Sequence, residues 1–347
     1  MPQNLVVVGV GMISAVGLSA AETAASVRAG TARFIETSML DKRFEPFVLA
    51  EVPEEGLPDL AEPLAAAGLT AREARMLRLA TPALKECLKA LPAGASPPAL
   101  MLALPETETT KPLDGPAFLG WLAQQVGPVF DLKQSAVSLR GRAAGLQGIG
   151  RAADLLRSGA ARFAIAGGID TYRDLYVLGT LDMEQRVKST ANLDGFIPGE
   201  GAAFLLLASR GAAPGLAALS VVSQAVEPGH LYSKEPYRGE GLAQAVQQLI
   251  QGGGVAGSIE EVYSSMNGEN HWAKEWGVAR IRQNGTFSAE HGMHHPADCC
   301  GDTGAACGPL LVGLAALGIK DGYRRSPALV YASSDRGPRA AVAVAAA

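Results

Sequence analysis

The feature that most constrains this chain is a strand that turns directly into a helix and then returns as a strand. Ala136–Leu139 is a short apolar run, Leu146, Ile149, Ala153 and Leu156 follow at helical spacing, and "RFAIAGGID" (Arg162–Asp170) is a second buried run. A strand–helix–strand unit of this length predicts two parallel neighbours in a sheet covered on both faces. Its first corner reads "LRGRAAG" (Leu139–Gly145) and carries Arg140 and Arg142. A helix N-terminus offers free N–H groups and a partial positive charge, which favour an anion or a thiolate. Two guanidinium groups stand there instead, with no Cys and no Ser.

The same rhythm continues along the chain. "NLVVVGVGMISAVG" reads as a buried strand and a Gly-rich turn, and "PALMLALPE" as another strand. "ARMLRLATPALKECLKAL" has helical spacing that is expected to break at Pro82. "GFIPGEGAAFLLLAS" is a Gly/Pro turn entering a strand. "RGAAPG" (Arg210–Gly215) is the best internal boundary, which gives an N-terminal half 1–210 and a C-terminal half 211–347. Beyond it come a strand ("LAALSVVSQAV"), a helix with a Gly stop ("GEGLAQAVQQLIQGGG"), a strand end ("EVYSSMNG"), a helix ("TGAACGPLLVGLAALGI") and a final strand ("PALVYAS"). An α/β fold follows from this order. With 48% hydrophobic residues and 41 Gly among 347, the chain can fill the large core such a fold needs.

A net charge of -4 argues against nucleic acid and anionic membranes as partners. No apolar run reaches the roughly 20 residues of a bilayer span, and no basic segment precedes the first strand, so a cytoplasmic location is expected. Four cysteines, Cys87, Cys299, Cys300 and Cys307, suit a reducing compartment and no disulfide is expected.

Four stretches carry candidate chemistry. "GVGMIS" approaches a dinucleotide-binding fingerprint but lacks its third Gly and a ribose-binding acid, so a tight turn is favoured and no cofactor is expected. "HGMHHPADCC" gathers His, Asp and Cys, yet its spacing fits no zinc template, so a polar loop with buried thiols is favoured and no metal is expected. "MNGENHWAKE" places Asn267, Glu269 and His271 after a strand end, where α/β proteins hold ligands; a plain surface loop is favoured over acid–base chemistry. Cys307 in "GAACG" is read as a buried thiol near a helix start rather than a nucleophile.

Taken in order, these segments resemble the β-ketoacyl synthase branch of the thiolase superfamily along nearly the whole chain. "VVVGVGMISAVGLSAAETAASVRAG" is similar to that family's opening segment. "GIGRAADLLRSGAARFAIAGGID" is similar to the helix and strand after its nucleophile, "DGFIPGEGAAFLLL" to its DGFVxGEGAA signature and "GDTGAACGPLLVGLAAL" to its late GHTxGAAG segment. The resemblance implies an α-β-α-β-α five-layer sandwich of two related halves and dimerisation through strands near the nucleophile. It also implies acyl condensation on acyl carrier protein or coenzyme A, with a Cys nucleophile, two His, a supporting Lys and a backbone oxyanion hole.

Carried over by position, the nucleophile falls at Arg142, the first His at Asn267, the Lys near Ala297 and the second His at Asp302. The late Gly-Phe-Gly-Gly turn falls at Ser334–Gly337. Every condensing group is replaced, so no catalytic residue is expected at these positions. The function expected is that of a ketosynthase-like partner, scaffold or adaptor without condensing activity, connected with bacterial secretion or with a fatty-acid or polyketide system. The family's chain length factors, which lack the nucleophile and pair with an active ketosynthase, are the precedent.

Expected partners are a second copy, a ketosynthase-like or other protein, an acyl carrier protein or an effector protein. The alternative is an acyltransferase or thioesterase with chemistry relocated to Cys300, Cys307, His271 or Glu269. A third reading keeps the acyl tunnel for sensing or carrying. Arg142 beside a helix N-terminus is unfavourable by a few tenths to about 1 kcal/mol, so it needs an anion. Asp302 is the expected partner, weighed against a solvated Arg142.

Overall fold

The computed structural model describes residues 5–106 and 112–347. Its first half contains β1 (Leu5–Ser14), α1 (Ala20–Ala29), the hairpin β2 (Ile35–Leu40) and β3 (Pro46–Leu49), α2 (Glu62–Ala65), α3 (Ala71–Leu88), β4 (Ala99–Ala103), α4 (Gly115–Val126), β5 (Ala136–Ser138), α5 (Ala144–Arg157), β6 (Phe163–Thr171), α6 (Leu175–Met183) and β7 (Glu200–Ser209). The second contains β8 (Ala217–Leu219), β9 (Ser223–Val226), α7 (Glu240–Gln251), β10 (Ile259–Ser264), α8 (Asn270–Arg282), β11 (Phe287–His294), α9 (Ala297–Cys300), α10 (Cys307–Lys320), β12 (Ala328–Ser333) and β13 (Pro338–Ala345).

Eleven strands form one sheet in the order β11-β10-β12-β13-β8-β1-β7-β6-β4-β5, with β9 on β13, and β2 and β3 pair separately. In the first half β4, β5 and β6 run parallel and β7 is antiparallel to β6 and β1. The second half repeats this with β10, β11 and β12 parallel and β13 antiparallel to β12. Short β8 bonds to both β1 and β13 and joins the two ladders.

Helices separate the ladders into layers. α3 lies on the outer face of β1, β6 and β7, with α4 beside it; α5 and α10 lie between the ladders; α7 and α8 cover the outer face of the second. Three apolar clusters fill the spaces between them. The result is the α-β-α-β-α five-layer sandwich. Within the middle layer α10 is apolar on nearly every side, as a helix packed between two sheets must be: it buries all but two of its residues.

Several expectations are corrected. β5 and β6 are parallel, but β4 lies between them. α3 does not break at Pro82 and runs for 18 residues. Its start is fixed by a capping box between Thr70 and Glu73, and its length is held by packing on three strands. The glycines of "GVGMIS" form no turn: β1 runs straight through them, and a Cβ on Gly11 would sit 1.9 Å from the Ala83 carbonyl oxygen of α3. They let a helix lie against a strand. "LAALSVVSQAV" is two short strands, "MNGENHWAKE" enters a helix rather than a surface loop, "HGMHHPADCC" spans the end of β11 and all of α9 rather than a loop, and β13 follows "PALVYAS" as the last strand.

Candidate functional site

Two matching corners build the site. Gly141–Ala143 is one turn of tight helix leading into α5, and Gly304–Ala306 is its counterpart leading into α10. The corners pack on each other at the centre of the middle layer. Gly141 takes φ +63°, a conformation side chains rarely adopt, and this sharp bend turns the next residue inward. That residue is Arg142, which is 2% exposed.

The DGFIPGEGAA motif holds the opposite wall. The Asp302 N–H donates to the Ile197 carbonyl at 2.9 Å and the Gly199 N–H donates to the Asp302 carbonyl at 3.0 Å. Glu200, buried one residue on, accepts from Arg75 Nε, Thr171 Oγ1 and the Val52 N–H, each at 2.7 Å. With its backbone so fixed, Asp302 presents its carboxylate to Arg142.

Arg142 and Asp302 meet directly. Arg142 Nε donates to both carboxylate oxygens, at 3.1 and 2.9 Å, and Nη2 donates to Oδ2. Arg142 Nη1 donates to Asp335. Asp335 in turn accepts from Arg186, whose Nε and Nη2 each donate to Glu269 at 2.8 Å. Asn267 Nδ2 donates to Asp302 at 2.8 Å and to Glu269 at 3.1 Å, closing the ring. Trp272 Nε1 donates to Glu269 at 2.9 Å, and its ring lies 5.4 Å from the Arg142 guanidinium carbon. Arg142, Arg186, Asp302, Asp335, Asn267 and Glu269 are all buried.

Burial opposes the charge on Arg142, Arg186 and Asp335, and their partners overcome it. Asp302 and Asp335 raise the Arg142 pKa well above its ordinary value. Asp335 and Glu269 do the same for Arg186. The two guanidiniums hold the Asp335 carboxyl far below the usual carboxylate range against its desolvation. Glu106 lies at the edge of the network. Burial and the Asp335 charge push its carboxyl up to about 7, while Arg142 pulls the other way.

The elbow's own backbone is engaged too. The Ala143 N–H donates to Ser334 Oγ at 3.0 Å, and that hydroxyl donates to the Arg140 carbonyl. A cavity of 30 Å³ remains beside Glu106, Arg142, Asp170, Tyr172 and Asp335. It has room for a water or two and none for an acyl chain.

The other sequence candidates are placed as follows. Ala297 is half-buried at the start of α9 and brings no functional group. His271 is half-buried in the first turn of α8 with its ring 4.6 Å from Tyr237, and desolvation lowers its pKa. Cys300 is buried, donates to the Pro296 carbonyl at 3.1 Å, and is pushed up to about 12 by desolvation. Cys307 begins α10, buried, and desolvation pushes its thiol higher still. Neither is poised as a thiolate.

The imidazoles of "HGMHHPADCC" diverge. His291 faces the Ser288 carbonyl, His294 Nε2 lies 2.7 Å from Glu261, and His295 Nδ1 lies 2.7 Å from Ser264 Oγ. Among the described residues no cluster of three or more His, Cys, Asp or Glu could hold a metal ion. The sequence reading did not find Arg186, Glu106 or Trp272. Asp335 was in view only as part of the altered Ser334–Gly337 turn. The one available signal was charge balance: a buried cation needs buried anions nearby.

Comparison with known proteins agrees with this architecture. Residues 122–213 match the family model "Beta-ketoacyl synthase, N-terminal domain". No curated protein sequence matches the chain. Similar solved structures include the ishigamide ketosynthase/chain length factor, with 17% identity, a TM-score of 0.78 and 100% of both chains covered. The ketosynthase ApeO in complex with its chain length factor ApeC, from Xenorhabdus doucetiae, gives 16% identity and a TM-score of 0.77, covering 99% of this chain and 98% of that one. The AntDE:AntF complex, a type II PKS acyl-carrier protein with its ketosynthase bound to the hexaketide, gives 15%, 0.79 and 100% of both chains. The chain is β-ketoacyl synthase-like, with the thiolase-type ketosynthase fold along its whole length.

Proposed function

We propose that this chain is a non-condensing, ketosynthase-like partner subunit. One observation carries the reading: the nucleophile corner holds Arg142, locked by Asp302 and Asp335 in a buried ring of charges. An arginine stays protonated and offers no lone pair for acyl transfer. The ring fills the space in which a thioester would lie. We take Arg142, Asn267, Ala297 and Asp302 as the former catalytic positions, and residues 1–210 and 211–347 as the two thiolase-like halves.

Three features support a partner role. Ketosynthases with chain length factors, and a ketosynthase with an acyl-carrier protein, share this fold. β5, two residues before the Gly141–Ala143 turn, is an edge strand with β4 as its neighbour. An edge strand offers unpaired backbone groups to a second chain. We infer that a second copy or a ketosynthase-like protein docks on β5, with an acyl carrier protein as the further partner. Of the two settings expected, a fatty-acid or polyketide system fits better than secretion.

The geometry does not favour relocated chemistry. Glu269 is occupied by Arg186, Asn267 and Trp272, and the Cys300 and Cys307 thiols are buried. The test is turnover of malonyl-coenzyme A and malonyl-acyl carrier protein by the purified chain. Carbon dioxide release is expected at the uncatalysed rate. Release above that rate, and lost in Cys307→Ala or Glu269→Gln, would overturn the proposal.

A further inference from the structure

A second cavity lies well away from the charge ring, between α1, α10 and the ends of β10 and β11. Its volume is 230 Å³, below the roughly 300–1,000 Å³ of sites for drug-sized ligands. It therefore suits one ring with one substituent. Its walls are aromatic. The Tyr263 and His294 rings lie 4.6 Å apart along one side, and Tyr323 lines it as well.

Two guanidiniums gather at the same place. Arg28, in the last turn of α1, lies 4.7 Å from the Tyr323 ring centre, and Arg324 lies 5.8 Å from it. The loop that carries Tyr323 and Arg324 is pinned, because both N–H groups donate to the Gly318 carbonyl of α10, at 3.1 and 3.0 Å.

Arg28 is exposed and Arg324 half-buried, and their charge balance differs from that of the fully buried arginines. Arg72, Arg75, Arg142, Arg186 and Arg339 each pair with a carboxylate. Among the described residues neither Arg28 nor Arg324 forms a carboxylate ion pair. Glu261, beneath His294, pairs with His294 and Arg325 and also feels the Arg324 charge, and Arg324 hydrogen-bonds Tyr263. Asp298 is the one carboxylate lining the cavity among the described residues, and it is exposed. Burial keeps the His294 and His295 imidazoles below their ordinary pKa, so they are neutral donors or acceptors at pH 7.

We propose that this cavity binds a small planar anion: an aromatic ring bearing one carboxylate or phosphate group. The ring would lie among Tyr263, Tyr323 and His294. The acid group would take the guanidinium forks of Arg28 and Arg324, which match a carboxylate or phosphate in two-pronged fashion.

The full chain should be titrated by calorimetry with benzoate, phenyl phosphate, phenol, acetate and inorganic phosphate. Benzoate or phenyl phosphate is expected to bind at least about tenfold more tightly than phenol, acetate or phosphate. Arg28→Ala and Arg324→Ala should each weaken that binding by about tenfold or more, with the melting temperature and far-ultraviolet spectrum of the free protein unchanged. Benzoate measured against phenyl phosphate tells a carboxylate site from a phosphate site. No heat of binding from either, binding of phenol as tight as that of benzoate, or binding unaffected by both variants would overturn the proposal.

Discussion

Arg142 is the residue on which the site turns. Placed at a helix start, inside the molecule, it is unfavourable on two counts, and Asp302 and Asp335 offset both. Breaking a buried pair from one side leaves the other charge without compensation. Arg142→Ala would leave the buried Asp302 without a cation and Asp335 with Arg186 alone, and a loss of about 3–5 kcal/mol in unfolding free energy is expected. Chemical denaturation measures it, and a loss under about 1 kcal/mol would mean that the ring is not the stabilising unit described.

Glu106 carries a second prediction. Its carboxyl is raised to about 7 in the folded protein from an ordinary 4.5. Between those values the native state holds a proton that the unfolded chain has released. The stability Glu106 contributes is therefore fully present below pH 4.5 and is lost as pH rises through 7. Glu106→Gln should flatten this fall and be the more stable protein at pH 8, by up to about 3 kcal/mol. Paired denaturation curves at pH 5 and pH 8 check it, and parallel curves for the two proteins would contradict it.

The residue scale is also where the sequence was least legible. Arg142 and Asp302 could be paired because each fell on a family position facing the other. Arg186 could not be found, since nothing in "EQRVKS" distinguishes a buried arginine from a solvated one. Asn267 and Glu269 were read as an exposed loop because polar residues near a Gly resemble one. Their burial depends on Arg186 and Asp335, which arrive from distant parts of the chain.

At the scale of elements, apolar runs and helical spacing located most of the strands and helices that build the site. β5, α5, β6, β7, α7, β10 and α10 all lie where those patterns predict. The misses have local causes. α8 carries charged residues around its circumference, so it shows no clear apolar stripe. β11 is only partly buried along most of its length, so it lacks a continuous apolar run. α3 survives Pro82 because its packing on β1, β6 and β7 outweighs one missing N–H.

That packing depends on Gly11. Gly11→Val would drive side-chain carbon into the α3 backbone, and overpacking of this kind costs about 1–3 kcal/mol or more. The melting temperature should fall by several degrees. No change would show that α3 can lift off β1 freely.

At the scale of the whole molecule, the fold is shared with ketosynthase structures, and a buried ring of charges closes its centre. Both elbow corners are kept, the five layers are kept, and the strand beside the nucleophile corner is still an edge. Where the two corners meet lies a closed ring of three carboxylates and two guanidiniums. No described helix is long and apolar enough to cross a membrane. The proposed partner role rests on this ring and on the edge position of β5.

The most direct test of this account is intact-protein mass spectrometry after incubation with acetyl-, malonyl- and longer-chain acyl thioesters of coenzyme A and acyl carrier protein. The account predicts an unmodified mass under every condition, because the elbow has no nucleophile and the thiols are buried and protonated. A stable acyl adduct that maps to Cys300, Cys307 or any residue lining the Arg142 ring would contradict it.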